Sequence, residues 1–146
     1  MQNMTLTEHT YKNARMGVIG AEALIRIAKD EDFISFLKEQ YNDYKALSEE
    51  CEELSKKNNT ELSDVGMFSK FESEMMIKLE TAADKSPDKM AAMLMQGSVM
   101  GIVECSRKIK ELSESASKEE ICLAKKLLKI EWKNLDNCPK WLGERD

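Results

Sequence analysis

The chain has 146 residues, a net charge of −5 and an apolar content of 42%, which together fit one soluble globular domain. Six Gly and two Pro residues are too few for a turn-rich all-β fold, and the acidic balance argues against a nucleic-acid-binding protein. Catalysis by a Cys–His or Ser–His pair would have to use the single histidine, His9, so the composition disfavours that chemistry.

The first half of the chain predicts two long helices. Apolar residues recur at spacings of three and four from Tyr11 to Lys29 and again from Phe33 to Lys57. At ~1.5 Å per residue the second helix is roughly 37 Å long, the height of a helical bundle. Residues 1–10 are predicted to be a flexible segment, followed by a single helical domain over residues 11–142.

The second half predicts three more helices. A third, less regular helix is expected from about Thr60 to Ala83, and its irregular apolar stripe makes it the expected connector. A fourth, from Pro87 to Ser113, is apolar almost all round, so we expect other helices to surround it. A fifth runs from Lys118 to Asn137. Short polar breaks between long helices predict an all-α, antiparallel up-and-down bundle of about five helices.

The sequence also indicates where the protein works. Residues 1–15 contain no apolar run typical of a secretory signal. The longest apolar stretch, from Met90 to Cys105, is interrupted by polar residues and is too short to cross a bilayer. We therefore expect a cytoplasmic protein with no membrane partner. The four cysteines form no C-x-x-C motif and are expected to be reduced, small buried side chains.

Four glutamates lie on or beside apolar helix faces, where carboxylates are costly to bury. Glu131 interrupts the seam of the last helix, and Glu104 continues the face of a G-x-x-x-G step in the fourth. Glu22 flanks the seam of the first helix, and Glu39 flanks that of the second. Three arrangements would satisfy such groups: one protonated carboxyl bonded to another, partners such as Gln40, Tyr44, Asn134 or a lysine, or a bound metal.

The third arrangement resembles a known family. One glutamate per helix, with E-x-x-H on two of the four helices, is the di-iron carboxylate pattern of ferritin-like bundles. Over about Tyr11 to Asn137 the present chain is similar to it, with metal ligands expected at Glu22, Glu39, Glu104 and Glu131. Asn42 and Asn134 stand where that pattern has histidine. The resemblance implies a ferritin-like fold and, where its ligands function, an iron or manganese site.

Our main functional hypothesis is non-enzymatic, because the helices are well formed and a catalytic set is missing. It is a small cytosolic protein without a cofactor that acts as a homo-oligomer or by binding a protein partner. The expected interaction surfaces are the Met-rich third and fourth helices. Their methionines are Met67, Met75, Met76, Met90, Met93, Met95 and Met100. The alternatives are a metal-binding or oxidant-handling protein that uses the four glutamates, and a carrier of a small apolar ligand. A polar layer that fixes helix register would also explain the glutamates.

Overall fold

The computed structural model describes residues 4–62, 65–82 and 84–143, with residues 65–67 described by their backbone alone. The described residues are all-helical and contain no strand, which confirms the all-α class. Five α-helices and a final 3₁₀ turn follow one another along the chain. They are α1 (Leu6–Ile27), α2 (Glu31–Lys57), α3 (Val65–Glu80), α4 (Pro87–Leu112), α5 (Lys118–Asn137) and the 3₁₀ turn Cys138–Trp141.

Side-chain caps define where most of these helices begin. The side chains of Thr5, Asp30, Ser86 and Ser117 each accept a hydrogen bond from a backbone N–H three residues further on. Ser117 also forms a capping box with Glu120, whose side chain bonds back to the backbone N–H of Ser117. Each cap satisfies a backbone donor that the helix itself leaves free, and therefore fixes the first turn.

The first helix begins earlier than the sequence analysis expected. Leu6, Thr7, His9 and Thr10 lie in α1 and are buried, so the helix expected from Tyr11 begins five residues earlier, inside the segment predicted to be flexible. Residues 1–3 lie outside the described residues. The start of α1 is held against the start of α5, because the Thr7 hydroxyl donates a 2.7 Å hydrogen bond to the Glu120 carboxylate. This docking was not predicted from the sequence, because the threonines at the start of α1 are polar and add no apolar stripe there.

The helices α1, α2, α4 and α5 share the core, and α3 packs against α1. The most extensive contacts join α1 to α2 and α4 to α5, while α5 also touches α1 and α2. Two buried clusters fill the interior. One includes Leu47, Cys105 and Leu127, and the other contains Phe33 and Trp141 near the end of the chain.

One face of helix α4 is more exposed to solvent than the sequence predicted. Its inner face is buried, as Gly101 and Cys105 show, but its outer face is open to solvent. There Val99, Met100 and Val103 are 46%, 64% and 41% exposed. In the part of the chain that the structure describes, other helices therefore do not surround α4 on every side. Among the described residues, the helices are all too short or too polar to cross a membrane.

Candidate functional site

The most unusual polar feature of the core is a buried carboxylic acid, Glu131 on α5. The helix turns its inward face to the core through Leu123, Ala124 and Leu127, and Glu131 comes one turn after Leu127 on that same face. The residue is only 6% exposed. A carboxyl group at this depth needs hydrogen-bond partners, because burial without them costs several kcal/mol.

Partners for Glu131 come from two other helices. The Tyr44 hydroxyl on α2 donates a hydrogen bond to Oε1 of Glu131. The Ser98 hydroxyl on α4 lies 3.4 Å from the same oxygen. Asn134, one turn further along α5, donates from Nδ2 to the Tyr44 oxygen at 3.0 Å. The sequence left three arrangements open for its glutamates. In the described residues Glu131 adopts the second of them, with hydrogen-bonding side chains around it: Tyr44 bonds the carboxylate, and Asn134 bonds Tyr44.

Two glycines make room for this polar cluster. A Cβ atom at Gly101 of α4 would overlap the carboxylate of Glu131. A Cβ atom at Gly17 of α1 would lie 2.5 Å from the ring of Tyr44. The two glycines of the G-x-x-x-G step in α4 therefore have different surroundings. Gly101 makes room for Glu131, whereas a Cβ atom at Gly97 would have no neighbour within 4 Å.

The electrostatics of the cluster follow from its burial. Burial raises the pKa of Glu131 to about 7, although the hydrogen bonds from Tyr44 and Ser98 pull in the opposite direction. Burial, with the nearby Glu131 charge, also raises the pKa of Tyr44 well above its ordinary value. The cluster can therefore take up or release one proton near neutral pH. Its described side chains provide no activated nucleophile.

The other three glutamates of the ferritin-like resemblance lie on the surface. Glu22 pairs with Arg26 of its own helix at 2.9 Å, and Glu39 pairs with Lys133 at 2.8 Å. Glu104 is exposed on α4. Within residues 4–62, 65–82 and 84–143, no three His, Cys, Asp or Glu side chains are grouped to hold a metal ion. The four glutamates are thus not assembled by the described fold, and the iron or manganese site stays a prediction.

The two E-x-x-N segments have different environments. Glu131 and Asn134 are both buried in the polar cluster, whereas Glu39 and Asn42 both face solvent. The sequence pattern identified the first pair because Glu131 interrupts a regular apolar seam. Ser98 escaped notice as one of several polar residues in an apolar helix. Its spacing of three from Gly101 was the available signal, since residues so spaced share a helix face.

His9 is another buried polar residue, although the sequence placed it in the segment predicted to be flexible. The residue is 5% exposed, and its Nε2 atom lies 3.3 Å from Nδ2 of Asn13. Its Nδ1 atom has no partner among the described residues. Burial lowers the pKa of His9 below its ordinary value, with the Glu104 charge acting in the opposite direction. Above pH 6.5 the neutral imidazole is therefore the favoured form in the folded protein.

Comparison with known proteins identifies no relative, since no family model, curated protein or solved structure matches the chain.

Proposed function

We propose that this protein is a non-enzymatic cytosolic helical protein that acts by self-association through the outer face of α4. Its scaffold would be the antiparallel, ferritin-like bundle that the sequence predicts. The observation that supports the proposal is the exposure of Val99, Met100 and Val103, hereafter the α4 strip. Single exposed apolar residues are common on soluble proteins, but neighbouring ones on one face indicate an interaction surface.

The spacing of the α4 strip suits contact with another helix. Positions 96, 99, 100 and 103 recur at intervals of three and four, so they line one side of α4. Gly97 lies beside them with no atom within 4 Å of its Cβ position, which leaves open space next to the α4 strip. Among the described methionine side chains of α3 and α4, Met100 is the exposed one; Met90 is buried and the others are partly buried. The side chain of Met67 lies outside the described residues.

The charges at the ends of α4 favour a second copy of the chain as the occupant. Lys89 and Glu111 are both exposed, and each lies eleven residues from Met100, which is about three helical turns. They therefore share the side of the helix that carries Met100. If two copies cross nearly antiparallel about a twofold axis at Met100, Lys89 of each copy lies opposite Glu111 of the other. Such self-complementarity is the requirement for a twofold dimer.

Sedimentation equilibrium of the full chain over a range of concentrations tests the proposal. An interface built on one helix face lies at the small end of specific interfaces, so we expect a dimer with a Kd in the micromolar range. Met100→Lys should weaken the dimer at least about tenfold, because it places an ammonium group in the apolar centre. Lys89→Glu should also weaken it, and Lys89→Glu combined with Glu111→Lys should restore it.

Ile77→Lys provides the matched control. Ile77 is 62% exposed on α3, the other Met-rich helix, so the substitution introduces the same charge at a similarly exposed apolar site. It should leave the dimer unchanged. A chain that stays monomeric at every concentration would contradict self-association. A dimer that Ile77→Lys dissociates while Met100→Lys does not would contradict the choice of α4.

A further inference from the structure

A cleft between α2 and the end of α5 has features of a binding site distinct from the α4 strip. Its volume is about 610 Å³, within the range of small-molecule sites. The α2 wall carries residues spaced by three and four, so they lie on one face of that helix. Those that the argument uses are Asp32, Glu39, Gln40 and Asp43; the opposite wall includes Lys133, Asn134 and Lys140.

Two buried amides in the walls of this cleft each have one polar atom without a hydrogen-bond partner among the described residues. Gln40 and Asn134 are each only 2% exposed. Nε2 of Gln40 and Oδ1 of Asn134 are unpaired in the part of the chain that the structure describes. One atom is a donor and the other an acceptor, and each unpaired buried group is unfavourable. A ligand that supplies one acceptor and one donor would satisfy both.

A ligand reaches these two atoms only after a small rotation of side-chain amide groups. Both are covered in the unliganded chain, so a ligand would meet them after the amide groups turn towards the cleft. The terminal torsion of Gln is broad, which makes the turn of the Gln40 amide inexpensive, whereas the Asn134 amide turns only as far as its hydrogen bond to Tyr44 allows. Asn134 also donates to Tyr44, so its Nδ2 atom is already engaged and its oxygen is the free side.

The charges around the cleft favour a cation. Four carboxylates line it, from Asp30, Asp32, Glu39 and Asp43, against the two ammonium groups of Lys133 and Lys140. Lys133 is held by Glu39 at 2.8 Å and by Asp43 at 3.1 Å, so these three groups form their own network. Asp30 caps α2 through the backbone N–H of Phe33. Asp32 is exposed in the first turn of α2 and takes part in neither of these contacts, so it is the carboxylate best placed to receive a ligand's ammonium group.

We propose that this cleft binds a small organic cation that also carries a carboxamide, such as a basic amino-acid amide. Its amide carbonyl would accept from Gln40 and its amide N–H would donate to Asn134. Its ammonium group would lie near Asp32. Asp32 and Gln40 are eight positions apart on α2, a helical rise of roughly 12 Å, which an extended lysinamide spans together with a hydrogen bond at each end.

Calorimetric titration of the full chain with L-lysinamide tests the site. We expect saturable binding in the millimolar range. Norleucinamide, which lacks the side-chain ammonium group, and L-lysine, which replaces the amide by a carboxylate, should each bind several-fold more weakly. Asp32→Asn should weaken lysinamide binding several-fold and leave norleucinamide binding unchanged. Glu49→Gln, the same loss of charge at an exposed position of α2 outside the cleft, should change neither.

Gln40→Leu separates a ligand-binding role from a structural one. The substitution removes a buried unpaired amide at similar volume, so the unliganded protein should be at least as stable as the wild type. Lysinamide binding should nevertheless fall about tenfold, the loss of one hydrogen bond to the ligand. Absence of saturable binding to the wild type would overturn the proposal. So would equal affinity for lysinamide, norleucinamide and lysine, or unchanged binding by Gln40→Leu.

Discussion

The Tyr44 hydroxyl on α2 donates a hydrogen bond to the Glu131 carboxylate on α5, across 87 positions of sequence. Both side chains are buried, at 7% and 6% exposure. Because Gly17 and Gly101 supply the space on α1 and α4, the contact brings four helices to one level of the core. A polar contact of this kind permits few alternative alignments of the helices, and we infer that it fixes their register.

Glu131→Gln should change how stability depends on pH. The folded chain holds the Glu131 proton with a pKa of about 7, against 4.5 as its ordinary value. The contribution of this proton to the free energy of unfolding is therefore complete below pH 4.5 and is lost as pH rises through 7. Relative to the Gln variant, the wild type should lose about 3 kcal/mol over that interval.

Urea denaturation of both proteins at several pH values measures this difference. Taking the difference between the proteins cancels groups that titrate equally in both, and Gln keeps a carbonyl acceptor for Tyr44. Glu22→Gln is the control, since it makes the same substitution at an exposed site outside the buried cluster and should leave the loss that Glu131 causes in place. A difference between wild type and Glu131→Gln that is flat with pH would contradict the assignment.

Tyr44→Phe should raise the pKa of Glu131 further. The substitution removes the donor that favours the ionised carboxyl, while the ring and its packing against Gly17 remain. It also leaves Nδ2 of Asn134 without its partner, so stability should fall by about 1–3 kcal/mol. Carbon-13 NMR of labelled Glu131 side chains gives the pKa directly. A pKa at or below that of the wild type would show that Tyr44 does not control this proton.

Gly101→Ala and Gly97→Ala form a matched pair on the same helix. Alanine is normally the better helix former by about 1 kcal/mol, and Gly97→Ala should show that gain because its Cβ meets no neighbour. Gly101→Ala should instead destabilise the protein by about 1–3 kcal/mol, since its Cβ overlaps the Glu131 carboxylate.

A double-mutant cycle identifies the cause of that loss. Adding Glu131→Ala to Gly101→Ala removes the overlap, so the two substitutions together should cost less than the sum of their separate effects. Strict additivity would mean that Gly101 is required for another reason. Thermal or urea denaturation of the four proteins supplies the comparison.

Periodicity predicted much of the fold. The starts of α2, α4 and α5 agree with the predictions to within two residues, because Asp30, Ser86 and Ser117 provide caps next to clear apolar stripes. The start of α1 was placed too late, since Thr7, His9 and Thr10 are polar yet buried. Their burial depends on docking against other helices, which a local pattern does not encode.

The candidate site was predicted in part for the same reason. Glu131 was recognisable because a carboxylate in an apolar seam is costly, and Tyr44 and Asn134 were among its expected partners. Glu22, Glu39 and Glu104 lie beside apolar stripes, and a small rotation of each helix decides whether such a flanking residue faces the core or solvent. The structure exposes all three.

His9 should make stability depend on pH in the opposite direction to Glu131. Burial lowers the pKa of His9 below 6.5, and Lys12 and Lys108 act in the same direction while Glu104 opposes them. The unfolded chain therefore binds this proton more readily, so the stability contributed by neutral His9 is complete above pH 6.5 and is lost as pH falls through the lowered pKa.

Because His9 is the single histidine, its imidazole NMR signals need no further assignment. They should titrate below pH 6.5, and Glu104→Gln should lower the midpoint further by removing the opposing charge. A midpoint at or above 6.5 would mean that the ring is hydrated, and that α1 does not dock at its start as described.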